Sequence, residues 1–335
     1  MLTRLVWFTG SLLVALVVLV LLFLFVVGRH RLEEIEVTKG PVSTAPATYR
    51  VAIEHGERER EYLVHVPPAA EQGAPLPLVI ALHGGGGKAE TMDDLSKITP
   101  IADREGFLVA FPQGVSKSWN DGRKGTGSTA EKENVDDVGF IRAVVEDVAA
   151  KLALDRRRVY ATGISNGAMM SSRLACEAAD VVAAVAPVAG TVAEAFETWC
   201  RPGRPVAVIA FLSTKDPLVP FGGGQIEAFL PFLKRGRVVS ADAFAAFWAA
   251  NNGCQGERQI TELPDRVQSD KSRVVLHEFG GCEGGATVAL YVVEGGGHTW
   301  PGGQQYMTRW LVGRTNRDVS ASELIWRFFA AQALP

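Results

Sequence analysis

The sequence predicts an α/β fold: a mostly parallel, doubly wound sheet with helices on both faces, preceded by one N-terminal transmembrane helix. Three observations carry this expectation. Apolar runs of strand length alternate with helical patterns along the chain, as strand–helix–strand units require. The runs are continuous in Val, Ala and Leu, the mark of strands covered on both faces. Residues 5–27 form one apolar run with no polar face to meet water.

That first run, LVWFTGSLLVALVVLVLLFLFVV, spans ~34 Å at ~1.5 Å per residue, enough for a ~30 Å hydrocarbon core. It ends in Val26-Val27-Gly28-Arg29-His30-Arg31, without the small-residue pattern of a cleavage site. Residues 1–31 therefore read as an uncleaved signal anchor; the alternative is a signal peptide with a long core, removed on secretion. Residues 32–47 are polar with two prolines and read as a tether. Arg4 on one flank and Arg29 and Arg31 on the other leave orientation undecided. Cysteine usage bears on it. Cys176, Cys200, Cys254 and Cys282 all lie in the remaining part, residues 48–335, and none has metal or redox spacing. An even count is compatible with two disulfides in an oxidising compartment, the alternative being four buried thiols. The expected arrangement is an N-terminus inside and the folded domain outside the cytoplasmic membrane, periplasmic or extracellular.

Within 48–335, segments 49–54 and 61–66 predict an antiparallel hairpin. Buried strands follow at 78–82, 107–111, 158–162, 182–188, 206–212 and 287–293. Helical patterns lie at about 89–104, 138–153, 167–178, 241–251 and 320–332, the last opening with a capping box, Ser320-x-x-Glu323. With 47% hydrophobic and 21% charged residues, the chain can bury a sizeable core. Its 34 basic and 37 acidic residues leave a net charge of −3, against nucleic acid as a main partner.

Gly163-Ile164-Ser165-Asn166-Gly167 carries the sharpest chemical signal. It joins a predicted strand to a predicted helix, the setting of a nucleophile elbow, where small flanking residues let a tight turn expose the serine. The helix N-terminus favours a developing oxyanion nearby. A serine hydroxyl needs a base. Two histidines follow Ser165. His298, in a Gly-rich loop after the 287–293 strand, fits that role. His277 lies inside a strand-like run and reads as packed or surface-facing. The acid that orients the histidine belongs on a loop after an intervening strand, and Asp216, after 206–212, fits; Asp242 reads as a helix cap. His83-Gly84-Gly85-Gly86-Gly87 follows the 78–82 strand and offers backbone donors. Gly84 and Gly85, with the N–H of Asn166, are the expected oxyanion hole. Lys88 is followed by Ala89, so the phosphate-loop reading is weak. His83 reads as a loop fastener, Met169 and Met170 as core, and Asp136 and Asp137 as caps. Trp119 and Trp300 are expected to line a substrate cleft.

Residues 83–87, 163–170, 185–191 (VAPVAGT), 214–220 (TKDPLVP) and 294–303 (EGGGHTWPGG) together resemble the polyhydroxybutyrate-depolymerase-like family of serine esterases, which also holds feruloyl and acetylxylan esterases. The match covers roughly residues 48–332. The resemblance implies an α/β-hydrolase catalytic domain, no metal or other cofactor, and a triad of Ser165, Asp216 and His298. It also implies the pairs Cys176–Cys200 and Cys254–Cys282. The expected function is hydrolysis of 3-hydroxyalkanoate esters or oligomers through an acyl-enzyme. The alternatives are a feruloyl or acetylxylan esterase, a serine peptidase of the same fold, or a catalytically silent binding module at the membrane. The chain departs from the family in its anchor and in residues 225–240, apolar and basic. These read as a flap with Phe229, Leu230 and Phe232 toward substrate, or as a surface helix.

Overall fold

The computed structural model describes residues 35–227 and 234–335. The expected span at 5–27 and the flap residues Phe229, Leu230 and Phe232 lie outside the described residues. Among the described residues no helix is long and apolar enough to cross a membrane.

The strands are β1 (Ala47–His55), β2 (Arg58–Val66), β3 (Leu76–Leu82), β4 (Leu108–Pro112), β5 (Leu154–Ile164), β6 (Ala184–Val188), β7 (Ala207–Ser213), β8 (Gly224–Glu227), β9 (Lys234–Val238), β10 (Arg258–Glu262), β11 (Arg273–Phe279) and β12 (Val288–Glu294). The longer helices are α1 (Ala89–Ser96), α2 (Thr99–Glu105), α3 (Asp137–Lys151), α4 (Asn166–Glu177), α5 (Ala241–Asn251) and α6 (Ala321–Phe329). Ten strands form one sheet in the order β1-β2-β4-β3-β5-β6-β7-β12-β11-β10. Neighbours from β4 to β12 run parallel, and an antiparallel pair closes each edge.

Alternation within the central strands feeds two cores. Leu78, Ile80 and Leu82 pack on one face with Ile141 and Val144 of α3, Leu174 of α4 and Trp248 of α5. Val79 and Ala81 pack on the other with Met92 of α1, Ile101 of α2 and Phe329 of α6. This is the doubly wound architecture that the continuous apolar runs predicted.

Several expectations need correction. The helix expected at 89–104 is two helices. Lys97 turns into the left-handed region (φ 57°), and Pro100 enters the first turn of α2, where it cannot continue a preceding helix. Asp93 closes the break by accepting bonds from the Thr99 N–H and hydroxyl. Asp136 caps α3, but Asp137 does not. It is fully buried, pairs with Arg60 at 2.8 Å and accepts the Asn120 N–H. Ser240, not Asp242, caps α5; Asp242 pairs with Arg258. Within 225–240, residues 225–227 and 234–238 belong to the strands of an antiparallel hairpin, β8–β9, not to a helix. Two glycines with positive φ, Gly224 and Gly236, break any helical reading there. The expected tether is docked near its start: Ile35 and Val37 pack against the core, and the Ile35 N–H donates to the Glu90 carbonyl. β10 gave no signal, because as an edge strand all five of its residues are exposed and it has no buried face to pattern.

Both disulfides form, Cys176–Cys200 and Cys254–Cys282. The first ties the end of α4 to the loop after β6 and closes a separation of 24 residues. Loop entropy of that length gives about 3 kcal/mol. Unreduced, denatured protein should therefore react with no thiol reagent. The double variant Cys176→Ala/Cys200→Ala should lose about 3 kcal/mol of stability in urea unfolding; an unchanged midpoint would contradict this.

Candidate active site

β5 ends at Ile164, and α4 begins at Asn166, so the reversal falls on Ser165 alone. Its backbone sits at φ 58°, ψ −120°, a conformation that costs on the order of 1–3 kcal/mol outside glycine. Packing enforces it. A Cβ on Gly163 would lie 2.6 Å from the Leu82 carbonyl oxygen, and one on Gly167 would lie 2.3 Å from the same atom. Ser165 is partly exposed while both neighbours are buried. Asn166 opens the helix, where a backbone N–H has no intrahelical acceptor.

The Gly-rich loop after β3 lies directly beside this turn. A Cβ placed on Gly84 would be 3.4 Å from the Ser165 Cβ, and one on Gly85 would be 3.8 Å from the Asn166 Cβ. His83 fastens the loop, as expected. Its Nε2 accepts from the Gly114 N–H at 3.0 Å and from Gln113 Nε2 at 3.1 Å, so Nδ1 carries the proton and donates to the Gly84 carbonyl at 2.8 Å. Burial pushes its pKa down to about 4, which keeps the ring neutral and out of acid–base chemistry.

Asp216 and His298 meet at the carboxyl ends of the adjacent parallel strands β7 and β12. His298 Nδ1 and Asp216 Oδ2 are 2.7 Å apart, with side-chain exposures of 3% and 2%. The other carboxylate oxygen accepts the N–H groups of Leu218 and Val219, both at 2.8 Å. The histidine loop is pinned as well: the His298 N–H donates to Val312, and the Tyr306 hydroxyl donates to the His298 carbonyl at 3.0 Å. Gly190, packed on the Ser165 carbonyl, lines a small cavity together with Asp216. Among the described residues no hydrogen bond joins the Ser165 hydroxyl to the His298 ring.

Other expectations resolve differently. Trp119 and Trp300 are fully buried, with indole N–H groups donated to the His83 carbonyl and to Ser322 Oγ. Neither lines a cleft, because their polar ends are taken up inside the protein. His277 faces outward against Arg258, far along the edge strands. Met170 is core, but Met169 packs with Val219 of the Asp216 loop and with Ile226 and Val238 of the β8–β9 hairpin. The sequence reading missed Gln113, Asp121 and Tyr306. Each acts through a tertiary hydrogen bond that no local pattern encodes. A separate cavity of about 430 Å³ lies at the opposite ends of the strands, lined by Thr287, Tyr291, Arg327 and Phe328.

The depressed His83 has a consequence for stability. Its neutral form contributes fully above the unfolded value of ~6.5; as pH falls toward 4 the unfolded chain takes up a proton that the native ring refuses. Stability should fall by about 3 kcal/mol from pH 7 to pH 4 through this group. His83→Asn, which cannot protonate, should show a shallower acid slope in urea unfolding; equal slopes would refute the effect.

The Esterase PHB depolymerase family pattern matches residues 60–201. "Putative esterase NocK" of Nocardia uniformis subsp. tsuyamanensis is 34% identical over 86% of this chain and 83% of its own length. Feruloyl esterase B of Piromyces equi is 31% identical over 71% of this chain, which spans 42% of that protein. An acetyl xylan esterase from Aspergillus awamori shares the fold, with a TM-score of 0.54 at 14% identity over 84% of this chain and 98% of that one. The sheet order, the Ser165 turn and these relatives together show that the chain has an α/β-hydrolase-like fold and belongs to the PHB depolymerase esterase family, serine hydrolases acting on carboxylic esters.

Proposed function

We propose that Ser165, His298 and Asp216 form the catalytic triad of a carboxylesterase that works through an acyl-enzyme. One observation carries the reading: the buried 2.7 Å His298–Asp216 hydrogen bond, at the same carboxyl end of the parallel strands as the Ser165 turn. His298 Nε2 takes the Ser165 proton as Oγ attacks the ester carbonyl. Asp216 holds the proton on Nδ1 and stabilises the imidazolium that forms. Backbone N–H groups of Gly84 or Gly85 and of Asn166 receive the oxyanion, aided by the positive end of α4. The collapse of this intermediate expels the alcohol, which takes its proton from His298. Water then attacks the acyl-serine by the same route. The serine–histidine hydrogen bond forms when substrate binds, since catalytic bonds that are long or absent in the free enzyme close in Michaelis complexes.

The substrates proposed are 3-hydroxyalkanoate esters and soluble oligomers, in line with the family. A second reading, esters of ferulate, is favoured by the Piromyces equi relative. The domain is proposed to work outside the cytoplasmic membrane, held by residues 5–27; the two disulfides support an oxidising compartment.

Full-length protein in detergent should label with a fluorophosphonate at Ser165. Ser165→Ala and His298→Ala should lower kcat by ~10⁴-fold or more, and Asp216→Asn by ~10⁴-fold. An active Ser165→Ala protein would refute the assignment. Comparing kcat/KM for a 3-hydroxybutyrate trimer and for methyl ferulate decides the substrate. Preference for the trimer supports the first reading, and preference for the ferulate replaces it with the second.

A further inference from the structure

Trp119 is buried, yet each of its three polar groups reaches one of two segments. Its indole Nε1–H donates to the His83 carbonyl at 2.9 Å. Its backbone N–H donates to Asn166 Oδ1 at 2.8 Å, and its carbonyl accepts from Asn166 Nδ2 at 3.0 Å. The indole also packs on the His83 imidazole, with ring centroids 4.9 Å apart. Asn166 Nδ2 donates further to Asp121 Oδ2 at 2.6 Å. Asp121 is gripped by Arg123, whose Nη1 donates to the Arg235 carbonyl on β9 at 2.8 Å.

The two segments joined in this way begin at His83 and at Asn166. On the proposed reading they carry the two halves of the oxyanion hole. They leave different strands, β3 and β5, and glycines 84 and 85 have no side chains by which to be held. An oxyanion hole works only if both donors point at one atom position. The strand ladders stop short of them; Gly167 packs on the Leu82 and His83 carbonyls, and Trp119 adds hydrogen bonds to both sides of that contact. Asn166 uses its whole amide on Trp119 and Asp121, which leaves only its backbone N–H for substrate.

We propose that Trp119 is a positioning residue that locks the Gly84–Gly85 loop and the start of α4 at the separation an oxyanion requires. It touches no substrate and acts through His83 and Asn166. The proposal rests on the Ser165 reading. It differs from simple core packing in what it expects. Packing alone would tie Trp119 to stability; a strut ties it to the transition state.

The test uses full-length protein in detergent, 4-nitrophenyl acetate as substrate and phenylboronic acid as a mimic of the tetrahedral adduct. Trp119→Phe keeps an aromatic ring on His83 and removes the bond to its carbonyl. Asn166→Ala keeps the backbone N–H and removes the bonds to Trp119 and Asp121. Each should lower kcat about 10- to 100-fold with KM changed less than about 2-fold, short of the ~10²- to 10³-fold cost of deleting a donor outright. The boronate Ki should rise by the factor by which kcat/KM falls. Wild-type kcat and boronate Ki in both variants would overturn the proposal, as would a loss of kcat with unchanged boronate Ki. If Trp119→Phe fails to fold, Asn166→Ala gives the same readings. Failure of the underlying reading is separable: wild-type protein would then not label at Ser165.

Discussion

The site depends on a lack of space. Between the end of β3 and the start of α4 there is no room for a Cβ at position 163 or 167, since each would press on the Leu82 carbonyl. The two chain segments can approach that closely only as glycine backbone. The approach forces the strand-to-helix reversal onto one residue, and the reversal lifts the Ser165 side chain out of a surround that is otherwise buried. Gly190 closes the third side against the Ser165 carbonyl. The strain at Ser165 is thus held by packing of the parallel sheet and by the serine's backbone N–H, which donates to the Val188 carbonyl at 2.9 Å.

Around this turn the protein buries several polar groups, and each is answered. His83, Asn166, Asp121 and Arg123 are all within the interior, and all have partners. A buried donor without an acceptor costs about 1–3 kcal/mol, so a network of this kind holds its loops to a single arrangement. Asp216 is treated in the same way, with one oxygen on His298 and the other on two backbone N–H groups. Loops that leave a sheet edge are ordinarily its most mobile parts; here they are stitched to one another by side chains.

How much of this was legible depended on whether a residue's role is set by its neighbours in sequence. The Ser165 turn could be read because its glycines flank it. His298 and Asp216 could be read because each follows an apolar strand. The central strands announced themselves through burial on both faces. Asp137 looked like a cap beside Asp136, since nothing local reveals that Arg60, 77 positions away, would claim it. Trp300 looked like a cleft residue because it adjoins His298, and Trp119 was read the same way without such a neighbour; position in sequence says nothing about which way an indole turns. The β8–β9 hairpin was hidden because its apolar residues serve a small cluster with Met169 and Val219 instead of a regular face.

The Cys254–Cys282 bond encloses both strands of the exposed sheet edge, since β10 and β11 lie wholly between the two cysteines. A protease reaching that edge finds β10 fully exposed. One cut there leaves both new ends covalently attached to the same molecule. Neither fragment can diffuse away, and β12, with His298 beyond it, stays joined to the chain that carries Ser165 and Asp216. In surroundings rich in peptidases, a nicked copy of this enzyme remains a single molecule able to close up again.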